Sequence, residues 1–291
     1  MKFCGISASA LGLDAAGLCR LKEALDNPNG PMVIWLQGKE CTGCSVSFLN
    51  RISISAPSAA KDVLIKSINL ADYPNLMAPA GKSAPAQIEA AYSKGGYVLA
   101  IEGGVPTNSG WSARWAWNGD NQDVTLQQAV LGLSAKAGAI LAVGTCAAFG
   151  GTPGAPPNPN GEKSVKNLTG KTTINIAGCP PHPDRIAWVV VQLLLNKPIF
   201  LDSSGRPRAF FNRTVGQQCA QEETETGEAR TFGVDGRCME GLNCRGKQTM
   251  ANCPRVFWNG KSNRGIDGNA PCLGCMHSNF PDPKPFYKSD D

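Results

Sequence analysis

Ten of the twelve cysteines in this 291-residue chain fall into two sets, and that layout constrains the fold more than any other feature. Cys41, Cys44, Cys146 and Cys179 each come shortly after a strand-like run, while Cys219, Cys238, Cys244, Cys253, Cys272 and Cys275 crowd the last quarter. Iron–sulfur cages are held by thiolates, and separate loops must converge to close them. The spacing predicts one cluster from the first set and one or two from the second. Cys4 and Cys19 have no partner spacing and take no ligand role.

Disulfides are the first competing use of so many cysteines. Disulfide scaffolds are usually short secreted domains that lack strong apolar strands. This chain has several such strands and a hydrophobic fraction of 42%, so metal ligation is the stronger reading. The net charge of +5 is mild and its basic residues are scattered, which gives no footprint for nucleic acid. No stretch approaches the roughly 20 apolar residues that span a bilayer, and no membrane span is expected in this chain. The opening MKFCGISASALGLDAAG reads equally as the tail of an export signal or as a short lead-in helix.

Apolar or β-branched runs bounded by Gly, Pro or Asn at 32–36, 63–70, 97–101, 139–143 and 173–176 predict buried strands. Helical segments at 45–52, 84–92 and 125–136 lie between them. Such alternation builds a parallel sheet with helices on both faces, whose functional groups gather at the carboxyl ends of the strands. The first four cysteines and Glu102 are placed there. A buried helix at 186–195 closes this region, and beyond Pro198 the apolar periodicity fades. The expected division is a lead-in at 1–29, a sheet domain at 30–197 and a cysteine-rich, mostly irregular domain at 198–291, which bound clusters would help to stabilise. QEETETGE reads as a solvated loop, and GGTPGAPPNPNG as a long loop inside the sheet domain.

Each motif has a plainer reading beside the metal one. CTGC at 41–44 alone could be a zinc half-site or a redox dithiol. A dithiol would place its second cysteine in the first turn of a helix and leave Cys146 and Cys179 unexplained, and zinc gives no reason for a second cysteine-dense region. Gly103 and Gly104 lack the flanking pattern of a phosphate loop. His182, in PPHPD, reads as a loop hydrogen-bonding residue, and His277 is a weak candidate ligand. The six tryptophans are read as core or subunit-interface anchors. Glu40 and Glu102 are candidates for assisting proton movement, with local backbone capping the stronger reading.

Taken together, ECTGC, IEGGVP, GTCAAFGG, AGCPP, CPRVFWN and PCLGC resemble the small, electron-transferring subunit of nickel–iron hydrogenases over nearly the whole chain. The resemblance implies a flavodoxin-like domain whose Cys41, Cys44, Cys146 and Cys179 hold a proximal 4Fe-4S cluster. It assigns Cys219, Cys238 and Cys244 to a distal cluster, and Cys253, Cys272 and Cys275 to a medial one. Where the family has a histidine as fourth distal ligand, this chain has Gly216. Gln217, Gln218, another protein group or water could complete a 4Fe-4S cluster there, or the cluster could be 3Fe-4S. Gly265 stands at the variable medial position, which implies a 3Fe-4S medial cluster. Gly43 and Gly151 stand where oxygen-tolerant relatives carry two extra cysteines, so an ordinary proximal cubane is implied.

By the same resemblance the expected function is relay of electrons from dihydrogen, split at a nickel–iron centre on a large partner subunit, to a cytochrome or a further iron–sulfur subunit. No catalytic nickel site is expected in this chain. The expected location is the periplasm, or the membrane surface through partners, and the cytoplasm if the N-terminus is not an export remnant. The rival functions are a dihydrogen sensor built from the same pair of subunits and an electron-transfer subunit of a complex I-like assembly.

Overall fold

A computed structural model of the chain describes residues 32–51, 69–74, 83–108, 114–116, 123–221, 227–232, 236–258 and 263–281. The lead-in at 1–29, with Cys4 and Cys19, lies outside them. Strands β1 (Met32–Gln37), β2 (Asn69–Asp72), β3 (Val98–Glu102), β6 (Ala139–Val143) and β7 (Ile174–Ile176) form one sheet in the order β2-β1-β3-β6-β7, all parallel. Counting only those five strands, this is the doubly wound order 2-1-3-4-5, whose switch point lies between β1 and β3. Strands β4 (Arg114–Ala116) and β5 (Asp123–Thr125) form a separate antiparallel ribbon.

The strands read as unbroken apolar runs because helices cover both faces. Alternate residues turn to opposite sides. Ile34, Leu36, Leu99, Ile101, Ile140 and Ala142 enter one core, with α2 (Ser83–Lys94) and α3 (Leu126–Ser134). Val33, Trp35, Val98, Ala100, Leu141 and Val143 enter the other, with α1 (Gly43–Leu49) and α6 (Pro183–Leu194). The α3 helix begins with a capping box, Thr125 accepting from the Gln128 amide and the Gln128 side chain accepting from the Thr125 amide.

The register determines where the functional edge lies. Gln37 pairs with Glu102, Glu102 with Val143, and Val143 with Ile176, so the carboxyl ends of β1, β3, β6 and β7 are level. Chain leaving each end meets its neighbours.

Several elements depart from the expectations above. The strand expected at 63–70 meets the described β2 only at Asn69 and Leu70, and residues 63–68 lie outside the described set. The loop expected after β6 is instead a short helix, α4 (Gly144–Phe149), entered at Gly144 with φ 87°. A further helix, α5 (Val165–Thr169), is capped by Ser164. Past residue 198 the described chain holds short 3-10 turns and one four-residue helix, α7 (Cys253–Val256). Its core of Phe211, Val215, Ala251, Ile266 and Met276 packs against Ala177 and Phe149 of the sheet region. Most of the acidic loop at 221–228 is outside the described residues, though Glu228 bridges to Cys238.

Candidate iron–sulfur relay

The level strand ends bring the first four thiols together. Cys41 lies in the β1–α1 loop, Cys44 in the first turn of α1, Cys146 in the first turn of α4, and Cys179 between β7 and α6. Burial, then Glu102 and the other three thiols, push the Cys44 thiol far up. Burial and then Cys179 push Cys146 up to about 12, and burial and then Cys41 push Cys179 up. Cys44 does occupy the helical position expected of a redox dithiol, so that argument against a dithiol does not hold. A different one does: a reactive dithiol has a depressed thiol pKa, and here burial raises that of Cys44. Thiols crowded this way favour deprotonation only when a cation joins them, which is how metal capture is linked to proton release.

Glycines make room for the sulfurs. A Cβ on Gly144 would lie 2.5 Å from Cys44 Sγ, one on Gly151 2.9 Å from Cys146 Sγ, and one on Gly43 3.0 Å from Cys41 Sγ. Any side chain at these places would intrude on the thiol set.

The later cysteines form two further sets. Cys244 is pushed up by burial and faces Cys219 and Cys238. Cys272, pushed up to about 12 by burial, faces Cys275, Cys244 and Cys253; Cys275, pushed up to about 11 by burial, faces Cys253 and Cys179. Backbone amides approach the sulfurs, as where Cys272 N donates to Cys244 Sγ at 3.3 Å. Two points join the sets: Cys275 meets Cys179 and its backbone, and Cys272 meets Cys244. Thr145 Oγ1 donates to Cys275 O at 2.5 Å and reinforces the first junction.

All ten of these cysteines are free thiols. Among the described residues no group of three or more His, Cys, Asp or Glu is placed to hold a single metal ion. Zinc draws four ligands to about 2.3 Å from one point, whereas a cage gives each iron its own thiolate. The donor chemistry, unbridged thiols gathered in neighbouring sets, fits iron–sulfur clusters.

Cys219, Cys238 and Cys244 line a cavity whose other polar walls are Gln221, Glu240 and Lys247, with Gly216 at its edge. Gln217 and Gln218 are engaged elsewhere. Gln217 Oε1 accepts from Thr214 N at 2.9 Å; Gln218 donates to Thr214 O and Ala251 O and accepts from Arg255 Nε at 2.8 Å.

Glu102 is wholly buried at the end of β3, with its carboxylate turned to α1. It accepts from Cys44 N and Ser45 N, each at 3.0 Å, from Trp35 Nε1 at 3.2 Å, and from Ser45 Oγ. Glu40 stands beside it. Burial and then Glu102 push its carboxyl up to about 7. The glycines of IEGGVP serve this packing, since a Cβ on Gly103 would lie 2.7 Å from Glu40 Cβ. Sequence reasoning missed Glu162, buried with both oxygens lacking a hydrogen bond and Lys39 Nζ 3.9 Å away. A lone glutamate in a loop carries no signal of that burial.

His182 is a capping residue, its Nδ1 accepting from Asp184 N at 3.2 Å at the start of α6. His277 Nδ1 accepts from Asn279 N at 3.2 Å in a turn. Trp35 stacks in the core with Phe48 and Tyr73, Trp188 meets Phe210, and Trp258 meets His182. Trp111 and Trp117 lie outside the described residues. Burial, then Arg185, push His182 down to about 4. The unfolded imidazole titrates near 6.5, so between about 6.5 and 4 the unfolded chain binds more protons. The stability His182 contributes is present above 6.5 and lost as pH falls through that window. Hydrogen exchange at the first turn of α6, corrected for intrinsic rates, is expected to accelerate from pH 7 to 5 in the native protein and less in His182→Asn. An equal response in both would assign the acid loss to another group.

The profile of the family described as NADH ubiquinone oxidoreductase, 20 Kd subunit, matches residues 41–193, and that of the C-terminal region of the NiFe/NiFeSe hydrogenase small subunit matches 211–287. The chain is 35% identical over 296 residues to the periplasmic NiFe hydrogenase small subunit of Solidesulfovibrio fructosivorans, covering 99% of this chain and 91% of that protein. It is 34% identical over 315 residues to the periplasmic NiFeSe hydrogenase small subunit of Desulfomicrobium baculatum, covering 100% and 98%. Among solved structures it matches the oxidized NiFeSe hydrogenase of Desulfovibrio vulgaris Hildenborough with a TM-score of 0.81 and 36% identity, covering 91% of this chain and 99% of that one.

Proposed function

Because this chain belongs to the family of NiFe hydrogenase small subunits, we propose that it carries electrons between a large-subunit nickel–iron centre and an external acceptor through three iron–sulfur clusters. The observation that carries this reading is the linked row of thiol sets. Cys179 meets Cys275 and Cys244 meets Cys272, so no gap separates one set from the next. When bound, the clusters supply reversible one-electron storage.

Cys41, Cys44, Cys146 and Cys179 would hold the proximal 4Fe-4S cluster, and Cys253, Cys272 and Cys275 a medial 3Fe-4S cluster. Cys219, Cys238 and Cys244 would hold the distal one, 3Fe-4S or 4Fe-4S, in the cavity they share with Gln221 and Glu240. Cys41 and Cys179 are exposed, and Val46, on the α1 helix that follows Cys41, is a half-exposed apolar residue. That edge is where a large subunit would cover the proximal thiols. Glu102 orients the first turn of α1, and with it Cys44, through the two backbone amides it accepts; Glu40, titrating about pH 7, is the better placed of the pair to hold a proton.

The division at 197/198 follows the change from sheet to irregular chain. A periplasmic site of action follows the named relatives, and the acceptor would be a cytochrome or an iron–sulfur subunit. The purified heterodimer of small and large subunits is expected to reduce a viologen dye with dihydrogen. Absence of that activity with all clusters intact would overturn the reading.

A further inference from the structure

Arg185, on α6, is among the most deeply buried side chains, at 1% exposure. Its Nε and Nη2 donate to Asn252 Oδ1 at 3.0 and 2.5 Å, its Nη1 to the Met276 sulfur at 2.9 Å, and Nη2 to Cys253 Sγ at 3.6 Å. The guanidinium lies 5.3 Å from the Phe211 ring centroid. Every acceptor it reaches is a neutral amide or a sulfur.

The surrounding charges do not compensate it. Asp184, next in the chain, pairs with Arg51 at 2.8 Å. Arg206, also over the Phe211 ring, is paired with Asp202 at 2.9 Å. His182 is neutral near pH 7, driven down by burial and then by Arg185 itself. A buried guanidinium cannot shed its proton, and leaving it without an anion is strongly unfavourable. Among the described residues, the one group within its reach that can carry negative charge is the sulfur of the last cysteine set.

We propose that Arg185 is the built-in counter-charge of the cluster held by Cys253, Cys272 and Cys275, and that it sets that cluster's reduction potential. This deepens the relay reading and rests on it. Reduction adds one electron, and so one negative charge, to the cluster; a fixed positive charge at hydrogen-bond range stabilises the reduced form more than the oxidised one. Arg185 therefore holds the midpoint high and keeps electrons flowing into the middle of the row. It is a positioning and charge-setting residue that touches a ligand sulfur, and its hold on Asn252 and Met276 fixes it there.

The test is an anaerobic potentiometric titration of the heterodimer, with a low-potential chemical reductant and paramagnetic resonance as readout. Native protein is compared with Arg185→Gln, Arg185→Lys and Asn252→Asp. The last gives the guanidinium a carboxylate of unchanged size, cancelling its charge without opening a cavity, and it carries the test if Arg185→Gln fails to load iron. At the native midpoint, the reduced-to-oxidised ratio of this cluster is expected to fall at least tenfold in Arg185→Gln and Asn252→Asp, a shift of about 59 mV for one electron. Arg185→Lys should shift less. Unmoved midpoints in loaded Arg185→Gln or Asn252→Asp would overturn the proposal while leaving the relay standing. Native protein with no iron on these three thiols would overturn both.

Discussion

Removing iron from the heterodimer under anaerobic chelation is expected to unfold the chain beyond about residue 206 while leaving the sheet intact. The physical reason is the imbalance of apolar burial. Among the described residues, the buried apolar side chains of the irregular region are Phe211, Val215, Ala251, Ile266 and Met276 in one small cluster and Ala229, Met239 and Leu242 in another. Full burial of a large apolar side chain contributes about 1.5–3 kcal/mol, while ordering each residue's backbone costs roughly 1–2 kcal/mol. Eight side chains cannot offset a stretch many times longer, so ligand capture must supply the difference. Without metal, the thiols also revert to protonated neighbours with no shared cation. Hydrogen exchange should show the amides of Val215, Cys244 and Ala251 relaxing toward unfolded rates, while those of Ile34, Ala100 and Leu141 stay protected. Retained protection at the first group after verified iron loss would refute the idea that clusters hold this region together.

Replacing Glu102 with alanine is expected to be the most damaging single change in the sheet region outside the cysteines. Four donors converge on its carboxylate, from Trp35, Cys44 and Ser45, in a wholly buried place. Stranding the indole N–H and two backbone amides, at about 1–3 kcal/mol each, amounts to roughly 3–9 kcal/mol. Gln at 102 keeps one acceptor oxygen for the helix amides, and the Ser45 hydroxyl can turn to accept. Only the Trp35 N–H then lacks an acceptor, a cost of about 1–3 kcal/mol. Exchange protection at Trp35 and Ile101 should therefore fall in the order native, Glu102→Gln, Glu102→Ala. Equal losses in the two variants would mean that charge, and not acceptor count, governs this site. Because the same amides begin α1, the alanine variant should also displace Cys44 and lower iron occupancy at the proximal thiols.

The strands at 32, 97, 139 and 173 were legible to within a residue or two, since burial on both faces leaves continuous apolar runs. Their level ends followed from the doubly wound rule, which is why Cys41, Cys44, Cys146 and Cys179 could be grouped before any geometry was known. Helix α4 was not legible, because Gly144 reads as a turn signal and here it turns the strand directly into a helix. Arg185 was equally hidden. At the start of an apolar helix it reads as a solvated charge, and its burial depends on Asn252 and Met276, which lie 67 and 91 residues further along the chain. Glu162 likewise owes its burial to Lys39 and Gly104 on distant turns. Local pattern carries the elements and the thiols; non-local closure makes the charged interior.

The path of the chain through its sulfurs is not the path through space. Cys219, Cys238 and Cys244 precede Cys253, Cys272 and Cys275 in sequence, yet the later set stands between the earlier one and Cys179. In the proposed relay, the two ends of the row are therefore made during synthesis before the link that joins them. On that proposal, a polypeptide that stops short of Cys253 would own both ends and no conductor between them, and premature products would be electrically silent.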